Sequence, residues 1–190
     1  MSSPDRRTLI ADTAIATVAA AGLRGLTHRA IDTAAGLPAG STSYYFRTRT
    51  ALIGACYARI AELDLDDIEL RQPVSREEAA ASLGALLHRW LTTGRERQLA
   101  RYELSLEAAR TPELESALHR AGLAARARAA AVLAALGAAR PREAAELLVA
   151  WTEGLLFDRL AGAMARTRPA PDFAELTAVA RRMLDAALAG

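Results

Sequence analysis

Along most of this chain the apolar residues return every third or fourth position, the spacing of a helix face rather than the alternation of a strand. Ile10, Ala14, Thr17, Val18 and Ala21 predict a helix over about Pro4–Ala21, opened by Ser3-Pro4-Asp5 and broken by Gly22 and Gly25. Leu52, Ile53, Cys56, Tyr57, Ile60 and Leu63 predict a long helix from a Thr48 cap to about Leu70, about 30 Å at 1.5 Å per residue. A linker at Gln72-Pro73-Val74 leads to Ser75-Arg76-Glu77-Glu78, which fits a capping box. The helix it opens carries Leu83, Leu86, Leu87, Trp90 and Leu91 to a break near Gly94. Another follows over about Arg95–Arg110, with Leu99, Tyr102, Leu104 and Leu106. Thr111-Pro112 starts a helix that Gly137 closes, and Pro141 starts one through Leu148, Trp151, Leu156 and Met164. The last begins near Asp172 and carries Phe173, Leu176, Val179, Met183, Leu184 and Leu188.

Residues 27–49 read differently, as two short helices crossed through a glycine turn. Thr27 caps a helix that buries Ile31 with the small Ala30, Ala34 and Ala35. Gly36 supplies the left-handed residue that ends it, and Leu37 turns back into the core. Pro38 suits the first position of the next helix, about Pro38–Tyr45, whose exposed face is small and polar. Arginines flank it. A second helix presented this way is suited to a DNA major groove. The whole chain is therefore expected to be all-α: a three-helix N-terminal helix-turn-helix domain, followed by a six-helix bundle.

The spacing Thr27…Ile31…Ala35-Gly36-Leu37…Gly40…Tyr44-Tyr45-Phe46…Arg49…Leu52 resembles the N-terminal signature of the TetR family of bacterial transcriptional regulators. The resemblance spans about the first quarter of the chain. It implies a DNA-binding domain over 1–50 and a ligand-binding and dimerisation domain over 51–190. Two departures matter: Ser43 stands where the family often has tyrosine, and Arg49 where it usually has lysine. An operator sequence therefore does not transfer from a relative.

Charge agrees with a DNA-binding head. Residues 1–50 hold six arginines against Asp5, Asp12 and Asp32, about +3, which leaves about −1 for the rest of a chain of net charge +2. All 24 basic residues are arginine. The acidic run Glu62, Asp64, Asp66, Asp67, Glu69 reads as a solvated face at the far end of the long helix. One cysteine, no leader-like segment and no apolar run of about 20 residues lead us to expect a cytoplasmic protein. The three histidines lie far apart and no nucleophile motif or metal-ligand pair occurs, so we expect no enzyme, no catalytic residue, no cofactor and no metal.

Candidate DNA contacts are Thr27, Arg47 and Arg49 on phosphates, helped by Tyr44 or Tyr45, with Arg6 or Arg7 also in reach. Arg29, Ala39, Ser41, Thr42, Ser43 and Tyr45 are the candidates for base edges. One such motif reads too few base pairs to find a site in a genome, so a homodimer on a double-stranded, near-palindromic operator is expected. Its interface falls to the last two helices, about 141–165 and 172–188, where Ala150, Gly154, Ala161, Gly162 and Ala165 allow close approach. In TetR-like proteins these helices form a four-helix interface, and the resemblance implies the same here. Trp90, Tyr102, Glu107, Trp151 and Phe157 are the candidates to line a pocket for a small hydrophobic or amphipathic effector. The expected function is a repressor released from its operator by that effector, through movement of the long helix that starts at Thr48. The alternative is a TetR-like regulator without a small-molecule inducer, controlled by a protein partner.

Overall fold

A computed structural model describes residues 3–68, 73 and 75–189. Of the expected linker only Pro73 is among them; Gln72, Val74, Glu69 and the helix end at Leu70 lie outside the described residues. Nine helices and no strand occur among the described residues: α1 (Ser3–Gly25), α2 (His28–Ala34), α3 (Ser41–Tyr45), α4 (Arg49–Asp67), α5 (Arg76–Leu91), α6 (Arg95–Ala108), α7 (Pro112–Ala135), α8 (Pro141–Leu160) and α9 (Phe173–Ala189). None of them is long and apolar enough to cross a membrane.

The ends follow local chemistry. Oγ1 of Thr48 accepts from the Ala51 N–H at 3.0 Å, and Oγ of Ser75 accepts from the Glu78 N–H at 3.1 Å. Asp172 caps α9 by accepting from the Glu175 N–H at 2.8 Å. Pro141 occupies the first turn of α8. Three boundaries differ from expectation. α8 ends at Leu160, short of Met164, where the Ala161 and Gly162 N–H groups both turn back to the Phe157 carbonyl, at 2.8 and 2.9 Å. Helical hydrogen bonding resumes after the Gly22 kink (φ 63°), so α1 reaches Gly25. α3 begins at Ser41, three residues later than Pro38, because Gly40 is left-handed (φ 90°) and ends the turn that Pro38 starts.

The helices fall into two compact units. One comprises the chain up to Asp64 together with Glu96–Ala121. Its core gathers Ile10, Val18, Ile31, Leu52, Ile60 and Leu104, each 2% exposed or less. Charged ties brace it: Arg59 Nε donates to Asp12 at 2.8 Å, and Arg97 Nε lies 3.0 Å from Asp64. Gln98, wholly buried, donates from its amide to Asp64 at 2.8 Å and accepts from Arg101 at 2.6 Å. The acidic run is thus no simple solvated face. Arginines and a glutamine on α6 take up Asp64, an arrangement that α4 read alone does not reveal.

The second unit comprises Leu65–Arg95 and the chain from Gly122. Its core is built largely of alanine, with Ala79, Ala80, Ala144, Ala145 and Ala187 around Leu133, Leu148 and Leu184. Small side chains let helices approach closely. A Cβ on Gly84 of α5 would lie 2.8 Å from Cα of Thr177 on α9. In the same unit Asp67 accepts from the Trp90 indole N–H at 2.9 Å and pairs with Arg89 at 3.3 Å.

Candidate nucleic-acid interface and effector cavity

The helix-turn-helix is closed by hydrogen bonds that the sequence encodes only in part. Thr27 accepts from the Ala30 N–H at 3.1 Å, as an N-cap should. At the other end of α2, Gly36 is left-handed (φ 63°), and the Leu37 N–H returns to the Asp32 carbonyl at 2.8 Å. Leu37 then packs on the core. Of the alanines expected to be buried beside Ile31, Ala30 and Ala35 are half-buried and Ala34 is exposed.

Asp32 is the residue that sequence reasoning missed. Its carboxylate is 4% exposed, yet three donors converge on it. Oδ2 accepts from the Gly40 N–H at 2.8 Å, while Oδ1 accepts from the Thr42 N–H at 2.7 Å and the Thr42 hydroxyl at 2.6 Å. Burial by itself raises the pKa of this carboxyl. The bonds from Thr42 and Gly40, with the nearby charge of His28, outweigh that and hold it below its ordinary value. One turn earlier on α2, His28 Nε2 donates to the Phe46 carbonyl at 2.7 Å, which assigns its N–H to that nitrogen. The available signal was an aspartate beside Ile31 on the inward face, followed eight and ten residues later by glycine and threonine.

Most expected DNA contacts face solvent. Thr27, Arg29, Ala39, Ser43, Tyr44 and Arg47 are exposed, Tyr44 by 79%. Ser41 is half-buried, its hydroxyl donating to the Pro38 carbonyl at 2.6 Å. Thr42 is a correction. It is wholly buried on Asp32, so it supports α3 instead of offering a surface to a base. Tyr45 is half-buried against the core and edge-on to Tyr44, with ring centroids 5.1 Å apart. Arg7, expected near a phosphate, sits over the Tyr45 and Phe46 rings at 5.5 and 5.3 Å. Arg49 is turned back as well: it donates to the Leu23 carbonyl at 2.8 Å and pairs with Glu107 at 3.3 Å. The same pair accounts for Glu107, whose partner is an arginine of its own unit.

The second unit contains a mostly apolar cavity of about 180 Å³. Leu83, Leu86, Trp90, Val132, Leu148 and Val149 form much of its wall, with Asp67, Ser82, Arg89, Arg128, Thr152 and Glu153 as its polar groups. Of the expected pocket residues only Trp90 lines it. Tyr102 and Glu107 belong to the other unit, where Arg101 lies 4.7 Å over the Tyr102 ring. Trp151 and Phe157 point outward, 37% and 48% exposed. They share a stripe along α8 with exposed Leu147, Ala150 and Gly154, and a helix carrying apolar residues on two faces gives no sign in its sequence of which faces the cavity.

A family model described as "Tetracyclin repressor-like, C-terminal domain" matches residues 74–190, more than half the chain. The chain belongs to the TetR family of transcriptional regulators. TetR-family proteins bind DNA and dimerise, and they are regulators, not enzymes. A transcriptional regulator from Rhodococcus sp. Rha1 superposes with a TM-score of 0.81, covering 100% of this chain and 97% of its own; at 21% identity the likeness shows the fold. A TetR-family member from Streptomyces coelicolor is 29% identical over 95% of this chain and 98% of its own, with a TM-score of 0.73. The multidrug binding protein EbrR, solved in complex with ethidium, is also 29% identical, over 96% of this chain and 99% of its own, with a TM-score of 0.71. No curated protein matches the chain.

Proposed function

We propose that this TetR-family protein is a homodimeric repressor that leaves a near-palindromic operator when a small, largely apolar molecule enters the cavity of its second unit. The observation that carries the effector half is that cavity, roofed by apolar side chains and dotted with hydrogen-bonding groups. Open space of about 180 Å³ favours a small-molecule effector over the alternative of control by a protein partner alone. EbrR supports it further, since that relative is solved with ethidium and with proflavin, both small planar molecules. The DNA half rests on α3 and its flanks. Ser43, Tyr44 and Ala39 face solvent for base edges, with Arg29, Arg47 and Thr27 alongside for bases or phosphates. Division by role, 1–50 for DNA and 51–190 for effector and dimer, is part of this reading.

The exposed stripe Leu147, Ala150, Trp151, Gly154 and Phe157 on α8 supports pairing of the last two helices with those of a second copy. Asp67, the last residue of α4, lines the cavity and accepts from Trp90 and Arg89 there. A guest that disturbs those bonds moves the end of the helix whose start adjoins the DNA-binding residues. It can do so only through different affinities for the bound and released states.

Fluorescence anisotropy tests the DNA half, using duplex from the region upstream of the protein's own gene against scrambled duplex and titrated with salt. Binding of ethidium to the DNA-free protein, compared with Ala129→Leu at the cavity wall, tests the effector half. Specific binding of two chains per site, steeply weakened by salt, is expected, together with saturable binding of ethidium to the DNA-free wild type that Ala129→Leu abolishes. Equal, weak binding to both duplexes would mean either that the operator lies elsewhere or that Ser43 and its neighbours do not read DNA, and failure to enrich any duplex from a random library would sink the DNA half. Specific DNA binding by a protein that takes up neither ethidium nor uncharged planar aromatic compounds would return the choice to a protein partner.

A further inference from the structure

We infer that His28 and Asp32, one turn apart on α2, are positioning residues that clamp the two ends of α3 and so set the pose in which it reads DNA. The inference rests on the DNA-binding reading above. A helix of five residues, Ser41–Tyr45, is far too short to hold itself together in water, so its shape and direction are imposed from outside. Apolar packing by Tyr45 and Phe46 holds one side of it down but fixes no rotation about that contact. The directional ties come from α2. Gly40, at the cap position, has no side chain to bond the first turn; the Asp32 carboxylate does so from eight residues upstream, taking the Gly40 and Thr42 N–H groups. At the far end His28 holds the Phe46 carbonyl.

Charge makes the near clamp stiff. A buried carboxylate is tolerated only when its lone pairs are met, and three bonds of 2.6–2.8 Å meet them here. Any rotation of α3 that lengthens one bond exposes a buried charge to a missing donor. Ser43 and Tyr44, exposed between the two clamps, are thereby presented in one orientation. Thr42 belongs to this device: its hydroxyl spends itself on Asp32, and its neighbours do the reading.

The test compares full-length wild type with Asp32→Asn, Thr42→Val and Thr42→Ser. The probe is the duplex that the wild type enriches from a random library, set against its scrambled counterpart. Hydrogen exchange of the α3 amides is followed in parallel. Asp32→Asn turns an amide donor toward groups that need an acceptor. It is expected to weaken binding to the enriched duplex at least about tenfold, the scale of a lost base contact, with scrambled duplex changed less than about twofold. Exchange should quicken in α3 and stay slow in α1 and α4. Thr42→Ser, which keeps the hydroxyl, should restore near-wild-type discrimination, and Thr42→Val should fall between. Undiminished discrimination in Asp32→Asn overturns the clamp. So does a loss shared equally by both duplexes with protection lost throughout α1 and α4, which would make Asp32 a stability residue only. A wild type that enriches no sequence overturns the DNA-binding reading itself, and the clamp's role with it.

Discussion

The unit that carries α2 and α3 keeps a carboxylate and an amide in its interior, whereas the unit of α5, α8 and α9 keeps alanines and a cavity. Asp32 and Gln98 are 4% and 0% exposed and hydrogen-bonded, Asp32 to Gly40 and Thr42 and Gln98 to Asp64 and Arg101, in a unit whose apolar core includes Ile31, Leu52 and Ile53. In the second unit Ala79, Ala80, Ala144 and Ala145 fill the core, and about 180 Å³ is left open beside Leu83 and Trp90. Hydrogen bonds have direction and apolar contacts do not. A part that must match a fixed groove gains from the first. A part that must admit a guest gains from the second. The difference in interior chemistry thus accompanies the roles proposed for α2 and α3 on one side and for the cavity on the other.

Five experiments would break or sharpen this contrast. The largest effect is expected from Ile31→Ala, which empties a wholly buried site at the centre of the first unit. It should cost about 2–5 kcal/mol in thermal or denaturant unfolding, with loss of DNA binding. Gly84→Ala comes next. Its Cβ would meet backbone Cα of Thr177 at 2.8 Å, so α5 and α9 must separate, at a cost of about 1–3 kcal/mol by calorimetry. Ala129→Leu fills cavity space instead. Stability should change by under about 1.5 kcal/mol, while anisotropy shows DNA binding retained and effector release lost. A change in DNA binding there would argue that the units are not so divided.

The smallest effects are expected from pH. The Asp32 carboxyl lies below its ordinary 3.8 in the folded chain, so its contribution is complete above that pH and disappears as pH falls through the lower, folded value. Acid titration should therefore release the α3 amides to exchange only below about pH 4. Cys56 runs the other way. Burial pushes its thiol from 9.0 up to about 12, so its contribution holds below 9.0 and is lost as pH rises toward 12. At pH 8 iodoacetamide should label it only as fast as the protein opens, a rate readable by mass spectrometry.

Much of the fold could be read from the chain alone because its signals are local. Thr27, Thr48 and Ser75 cap the helices they were expected to cap, and Gly36 and Gly137 take the left-handed conformation that closes α2 and α7. Pro38 suits a turn as well as a helix start, and in the fold the left-handed Gly40 ends that turn before α3 begins, with Asp32 bonding the Gly40 and Thr42 N–H groups there. Among the pocket candidates, Trp90 and Trp151 look alike in sequence, each a large ring within an apolar helix face. One faces the cavity and hydrogen-bonds Asp67; the other joins the exposed stripe of α8.

The sequence by itself determined the nine helices, their order and the presence of a TetR-like head, since periodicity, caps and glycine turns act over a few residues. Only the tertiary structure decided where the polar groups go. Asp32 with Thr42, Asp64 with Gln98, Arg49 with Glu107 and Asp67 with Trp90 each join different helices. A buried charge is stable only beside its partner. Where that partner comes from another helix, no local pattern announces it.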